Sequence, residues 1–122
     1  MIVGFVNSLR EAIIALEVHG SKDQIEVDAI LDSGFDGYVS LSRAMISNLG
    51  LKFRRRGRAV LADGGEIVFD VYEATVIWDG KPMRLEVDEA DTDPLVGMAL
   101  LDGYKMTIEV VPGGAVAIEL LR

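Results

Sequence analysis

Ala29-Ile30-Leu31-Asp32-Ser33-Gly34-Phe35-Asp36-Gly37-Tyr38-Val39 is the stretch around which the rest of the chain reads. An apolar run with the character of a buried strand delivers an acid, a hydroxyl and a glycine, then turns sharply. Apolar residues resume at once with Tyr38, Val39 and Leu41. A carboxylate at the end of such a strand is costly unless its charge is hydrogen-bonded, shared or neutralised by a proton. The small hydroxyl and the glycine beside it let the backbone turn tightly and approach a ligand closely. Asp-Ser-Gly is also ordinary turn vocabulary. Asp32 and Asp36 followed by Gly37 resemble the start of a calcium loop, but the twelfth position counted from Asp32 is Arg43, not the bidentate glutamate such a loop needs. The preorganised carboxylate is the reading that gives Asp32 a chemical task.

The chain as a whole narrows what that task is. Its 122 residues fit a single domain over 1–122 with a real core, and half of them are hydrophobic. No apolar run approaches the ~20 residues of a membrane helix. Met1-Ile2-Val3-Gly4-Phe5 lacks the basic start and small-residue cleavage site of a signal peptide. With no cysteine, disulfides and thiolate metal sites are excluded, which fits a cytoplasmic protein. A net charge of −8 argues against nucleic acid as a partner. The basic cluster Lys52, Arg54, Arg55, Arg56 and Arg58 reads as a short solvated loop, since no aromatic platform interleaves with it. His19 is the only histidine, which removes histidine triads and histidine-rich metal sites; it reads as a strand-end surface residue. No metal or cofactor is expected.

Strand signals dominate. Ile2 to Val6, then Ala12 to Val18 before Gly20-Ser21-Lys22-Asp23, and the alternation of Ile25, Val27 and Ala29 with Glu26 and Asp28 all suit strands. Ser40 or Ser42 can cap a short helix through Leu49, stopped by Gly50. Three hairpins are signalled: Ala59 to Leu61 and Ile67 to Phe69 around Ala62-Asp63-Gly64-Gly65, Val71 to Trp78 and Met83 to Val87 around Asp79-Gly80, and Thr107 to Val111 and Ala115 to Leu120 around Pro112-Gly113-Gly114. Trp78 reads as a packing anchor. The chain is therefore mainly antiparallel β, with one or two short helices. A faint internal echo, Ile25-Glu26-Val27-Asp28 against Leu85-Glu86-Val87-Asp88, suggests two halves about a pseudo-twofold. Each is followed by an apolar run carrying a glycine and then a helix-like segment, Arg43 to Leu49 and Met98 to Leu101.

Taken in order, these pieces resemble the retropepsin-like aspartic proteases, most closely the small single-lobe prokaryotic clan AA members. Ile30-Leu31-Asp32-Ser33-Gly34-Phe35 matches the active-site motif and Leu61-Ala62-Asp63-Gly64-Gly65 the flap hairpin. Leu95-Val96-Gly97-Met98-Ala99-Leu100-Leu101 matches the apolar-apolar-Gly turn with its helix, and Ile108 to Ile118 the last hairpin. The resemblance implies a closed acid-protease barrel. It makes Asp32 the catalytic carboxylate, Ser33 the hydroxyl that locks two active-site loops together, and Gly34 the turn with its exposed amide. Ala62, Asp63, Gly64 and Gly65 become a flap tip over the substrate, and Leu95, Val96 and Gly97 a support beneath the active-site loop. Ser33 stands where many members carry threonine, and the flap tip is short.

Peptide hydrolysis without cysteine, histidine or metal leaves a carboxylate pair as the economical solution. One carboxylate draws a proton from water while its protonated partner donates to the scissile carbonyl. Two carboxylates ~3 Å apart cannot both ionise and so share one proton, as aspartic protease dyads do. One such motif per chain requires a homodimer with Asp32 from each subunit on the twofold axis, acting on a polypeptide held under the flap. Asp36, Asp63, Asp91 and Asp93 read as turn or surface acids, and the terminal segments Met1 to Phe5 and Ala115 to Leu120 as contributors to the dimer interface, unless they are internal strands. The rival expectation is a non-catalytic dimeric peptide-binding module on the same barrel.

Overall fold

The alternation of apolar and polar residues is realised as strands whose inner faces meet. In the computed structural model, which describes residues 1–122, the order is β1 (Ile2–Val6), β2 (Ala12–His19), β3 (Gln24–Leu31), β4 (Val39–Leu41), α1 (Arg43–Leu49), β5 (Lys52–Val60), β6 (Glu66–Trp78), β7 (Lys81–Glu89), β8 (Leu95–Val96), α2 (Met98–Leu101), β9 (Tyr104–Ile108) and β10 (Ala115–Leu120). They form one sheet in the order β5-β6-β7-β4-β8-β3-β2-β1-β10-β9. A further pairing of β6 with β2, Glu17 opposite Ile77 and His19 opposite Thr75, closes six of the strands into a barrel. Ile14, Leu16, Val18, Val27, Val39, Leu41, Val76, Val87, Val96 and Ile118 fill its interior.

The pairing carries a twofold pattern. β3 lies parallel to β8 as β4 lies parallel to β7, and β4 and β8 run antiparallel between them. A strand, a loop, a short strand and a helix (β3 to α1) thus face the same succession (β7 to α2), which is the arrangement behind the echo of Ile25 to Asp28 in Leu85 to Asp88.

Ser42, not Ser40, caps α1: its Oγ accepts the Met45 amide at 3.3 Å, and Gly50 ends the helix at φ 69°. The Asp79-Gly80 turn has positive φ at both residues, the geometry that matches hairpin twist. Trp78 is buried and stacks edge-on to Tyr104, the ring centroids 5.7 Å apart. The last hairpin is offset from expectation: its first strand is Tyr104–Ile108, and Val110 and Val111 lie in the connection.

The basic cluster is not a loop. Lys52–Val60 is strand β5, paired along β6 with an irregularity between Phe53 and Arg55. Its arginines stay exposed, so apolar alternation gives no sign of it, and opposite charge on the neighbouring strands supports it instead. Arg54 meets Glu73 at 2.7 Å, Arg55 reaches Glu86 with two bonds of 3.1 and 2.7 Å, and Arg56 lies 3.6 Å from Asp70. The terminal segments are internal strands: β1 pairs with β10 on one edge and β2 on the other, and β10 pairs with β9.

Candidate active site

Asp32 follows directly on β3. Its amide donates to the Val96 carbonyl at 2.9 Å and its carbonyl accepts the Phe35 amide at 3.1 Å, so Asp32 to Phe35 is a closed tight turn. The Gly34 amide donates to Asp32 Oδ1 at 2.8 Å, which fixes the direction of the carboxylate. Asp32 is half-buried, while Ser33 and Gly34 are exposed on the outer side of the turn.

The segment Leu95, Val96 and Gly97 braces this turn from beneath. The Gly97 amide donates to the Tyr38 carbonyl at 3.0 Å, Met98 to Phe35 at 2.8 Å and Ala99 to Gly37 at 3.1 Å. A Cβ on Gly97 would stand 2.3 Å from the Gly37 oxygen and 2.6 Å from the Phe35 ring, so this crossing admits only glycine. Val96 is wholly buried.

Ala62, Asp63, Gly64 and Gly65 form the exposed tip of the β5–β6 hairpin. The tip is pinned by Leu61 N–H to the Gly65 carbonyl at 2.7 Å and by the Gly65 amide to Asp63 Oδ1 at 2.8 Å, with Gly64 at φ 86°. The hairpin and the active-site loop enclose a cleft of about 1030 Å³. Gly34, Phe35 and Leu95 line it, but the flap contributes through Ala59, Val60 and Ile67 to Asp70 rather than through its tip.

Three cleft residues escaped the sequence reading. Asp36 is the exposed loop acid expected, but it also lines the cleft wall. Ser40 is buried in β4 instead of serving as a helix cap. Asp88 lines the same wall, and burial, then the neighbouring Glu86 charge, pushes its acid from the ordinary 3.8 up to about 6; Arg55 partly opposes this and Asp36 adds to it. In the sequence Asp88 figures only in the Leu85-Glu86-Val87-Asp88 echo, and nothing there says that its side of the strand becomes a cleft wall.

No protein-family model and no curated protein matches the chain. Among solved structures it is similar to EIAV protease complexed with the inhibitor HBY-793, at 18% identity and a TM-score of 0.54, over 78% of this chain and 88% of that one. The likeness is one of fold: the chain has the retropepsin-like aspartic protease fold.

Proposed function

We propose that the protein is an aspartic endopeptidase-like hydrolase that works as a homodimer, with one Asp32 from each subunit activating water for peptide-bond hydrolysis. The observation that carries this reading is the Asp32 turn. A half-buried carboxylate is held by the Gly34 amide and braced by the Gly97 crossing, yet its own chain supplies no second motif of the kind. Such rigidity at an acid is what general acid–base chemistry requires of its reacting groups.

Two Asp32 carboxylates brought together would hold a single proton, and the titration would belong to the pair. The ionised member takes a proton from water as water attacks the carbonyl carbon. The protonated member donates to the carbonyl oxygen, giving a neutral tetrahedral diol. On collapse the C–N bond breaks, and the carboxyl that took the water proton gives it to the leaving amine. The other carboxylate takes a proton from a diol hydroxyl, which restores the shared proton. In this reading Ser33, exposed beside Asp32, would bond across the twofold, and Ala62 to Gly65 would close over an extended peptide. Because β1 and β10 are already paired with each other, the second copy meets faces and loops rather than exchanging end strands. The outward faces and turns of this region leave Val3, Phe5, Leu9, Val110, Val111 and Leu120 exposed, apolar surface suited to such a contact.

The test is calorimetric titration with a statine-type transition-state mimic from pH 4 to 7, beside Asp32→Asn. The expected result is one ligand per dimer, lost in the variant together with peptide hydrolysis. A confirmed dimer that ignores the mimic, or hydrolysis surviving at a comparable rate in Asp32→Asn, overturns the proposal.

A further inference from the structure

The register across the barrel places Val71, Asp88, Ser40 and Leu95 side by side on β6, β7, β4 and β8. Residues directly opposite one another share a face, and Asp88, Ser40 and Leu95 all line the cleft. The apolar ends of this row need no explanation. Its two polar members do.

Ser40 is only 2% exposed, and its hydroxyl is buried with no hydrogen-bond partner. A buried hydroxyl in that state is costly unless something completes it. Asp88 next to it forms no salt bridge, because nearby cations are engaged elsewhere. Arg55 is bonded twice to Glu86, Arg54 and Arg84 both hold Glu73, and Arg43 is on Glu89. The Asp88 carboxylate reaches under the active-site loop, where a Cβ on Gly37 would stand 3.2 Å from its Oδ2. Asp36, on that loop, adds a second uncommitted negative charge close enough to disfavour ionisation of Asp88. This stretch of wall therefore offers two carboxylates and a hydroxyl, all able to accept. Of the arginines lining the rest of the cleft, Arg43 is held by Glu89 and Arg56 lies 3.6 Å from Asp70, while Arg58 has no ion-pair partner.

We infer that Asp88, Ser40 and Asp36 form a specificity pocket for a basic side chain of a peptide lying in the cleft. An ammonium group carries three donors and no acceptor, which matches this set of acceptors. Its charge would relieve the repulsion between the two carboxylates and bring Asp88 to its ionised form. The methylene stem of the same side chain would lie along Leu95 at the apolar end of the row. Selection would be by removal as well as addition: an acidic side chain meets like charge, and an apolar one leaves the Ser40 hydroxyl and a carboxylate unpaired.

This inference rests on the cleft being a peptide site, so the test reads binding rather than cleavage. Extended fluorescent peptides that differ at one position, with lysine, norleucine or glutamate scanned along six residues, are titrated by anisotropy. The targets are the full chain, Asp88→Asn, Ser40→Ala and, as a charge control away from the cleft, Asp23→Asn; unfolding curves are recorded for each. At one position lysine is expected to bind about tenfold or more tighter than norleucine, as a charge-assisted hydrogen bond allows. Asp88→Asn removes that preference, Ser40→Ala weakens it and Asp23→Asn keeps it. Peptides that all bind alike, or a preference that survives in folded Asp88→Asn, overturn the pocket and leave the peptidase reading standing. Failure of every peptide to bind overturns both.

Discussion

Asp32 and Asp88 are carboxylates that the fold treats in opposite ways. Asp32 accepts the Gly34 amide; Asp88 is half-buried with no donor to its carboxylate. The consequence for stability has a definite sign. The acid of Asp88 lies at about 6 in the folded chain against an ordinary 3.8, so the folded state takes up the extra proton between those values. Its contribution to stability falls as pH rises through that window. Asp88→Asn, which mimics the protonated form, should therefore be more stable than the parent at pH 7, by about 1–2 kcal/mol once partial solvent screening is allowed for. Below pH 4 the two should match; urea unfolding at both pH values checks it, and equal stability at pH 7 would refute it. The difference between the two acids also sets what could be read from sequence. Asp32 sits in a motif with a glycine and a hydroxyl, whereas Asp88 ends an alternating strand and looks like any solvent-facing acid. Which outward faces become cleft walls depends on long-range closure, as with β6 on β2, and no local pattern reports it.

At the level of elements, most strands were legible because burial imposes a period of two residues. The Asp79-Gly80 hairpin and the Gly50 helix stop were legible because positive φ calls for specific residues. β5 was not. Its Lys52 to Arg58 segment has hardly an apolar residue to bury, and it is a strand because β6 offers it a ladder and acids on β6 and β7 sit opposite its arginines. The turn at Leu95 to Gly97 carried a sequence signal only as an apolar pair before a glycine. Its structural role is sharper, since Gly97 lies where the two loops cross. Gly97→Ala drives a methyl group into the Gly37 carbonyl and the Phe35 ring, and overpacking of this kind costs about 1–3 kcal/mol or more. The expected outcome is a lower urea midpoint together with loss of binding to the transition-state mimic, because the displaced partner is the Asp32 turn itself. Unchanged binding in a destabilised Gly97→Ala protein would mean that this crossing supports the fold without positioning Asp32.

For the whole molecule, the pairing of β1 with β2 and β10, and of β10 with β9, means that both end strands are satisfied within one copy. A subunit should therefore be folded at dilutions where it stands alone, with hydrolysis rising as the square of protein concentration until pairs saturate. Far-ultraviolet circular dichroism that holds its shape across the dilution series while activity falls is the expected signature. Loss of the β signal in step with activity would instead mean that the ends are shared between copies. The same closure governs how copies of unlike sequence would mix. With no strand traded, subunits can part and re-pair without unfolding, so adding Asp32→Asn protein to the parent chain should re-sort the population quickly. On the proposed homodimeric reading, mixed pairs would hold only one competent carboxylate, and hydrolysis should decline with the square of the parent fraction. On that reading, a single defective allele expressed beside an intact one would silence well over its own share of the activity.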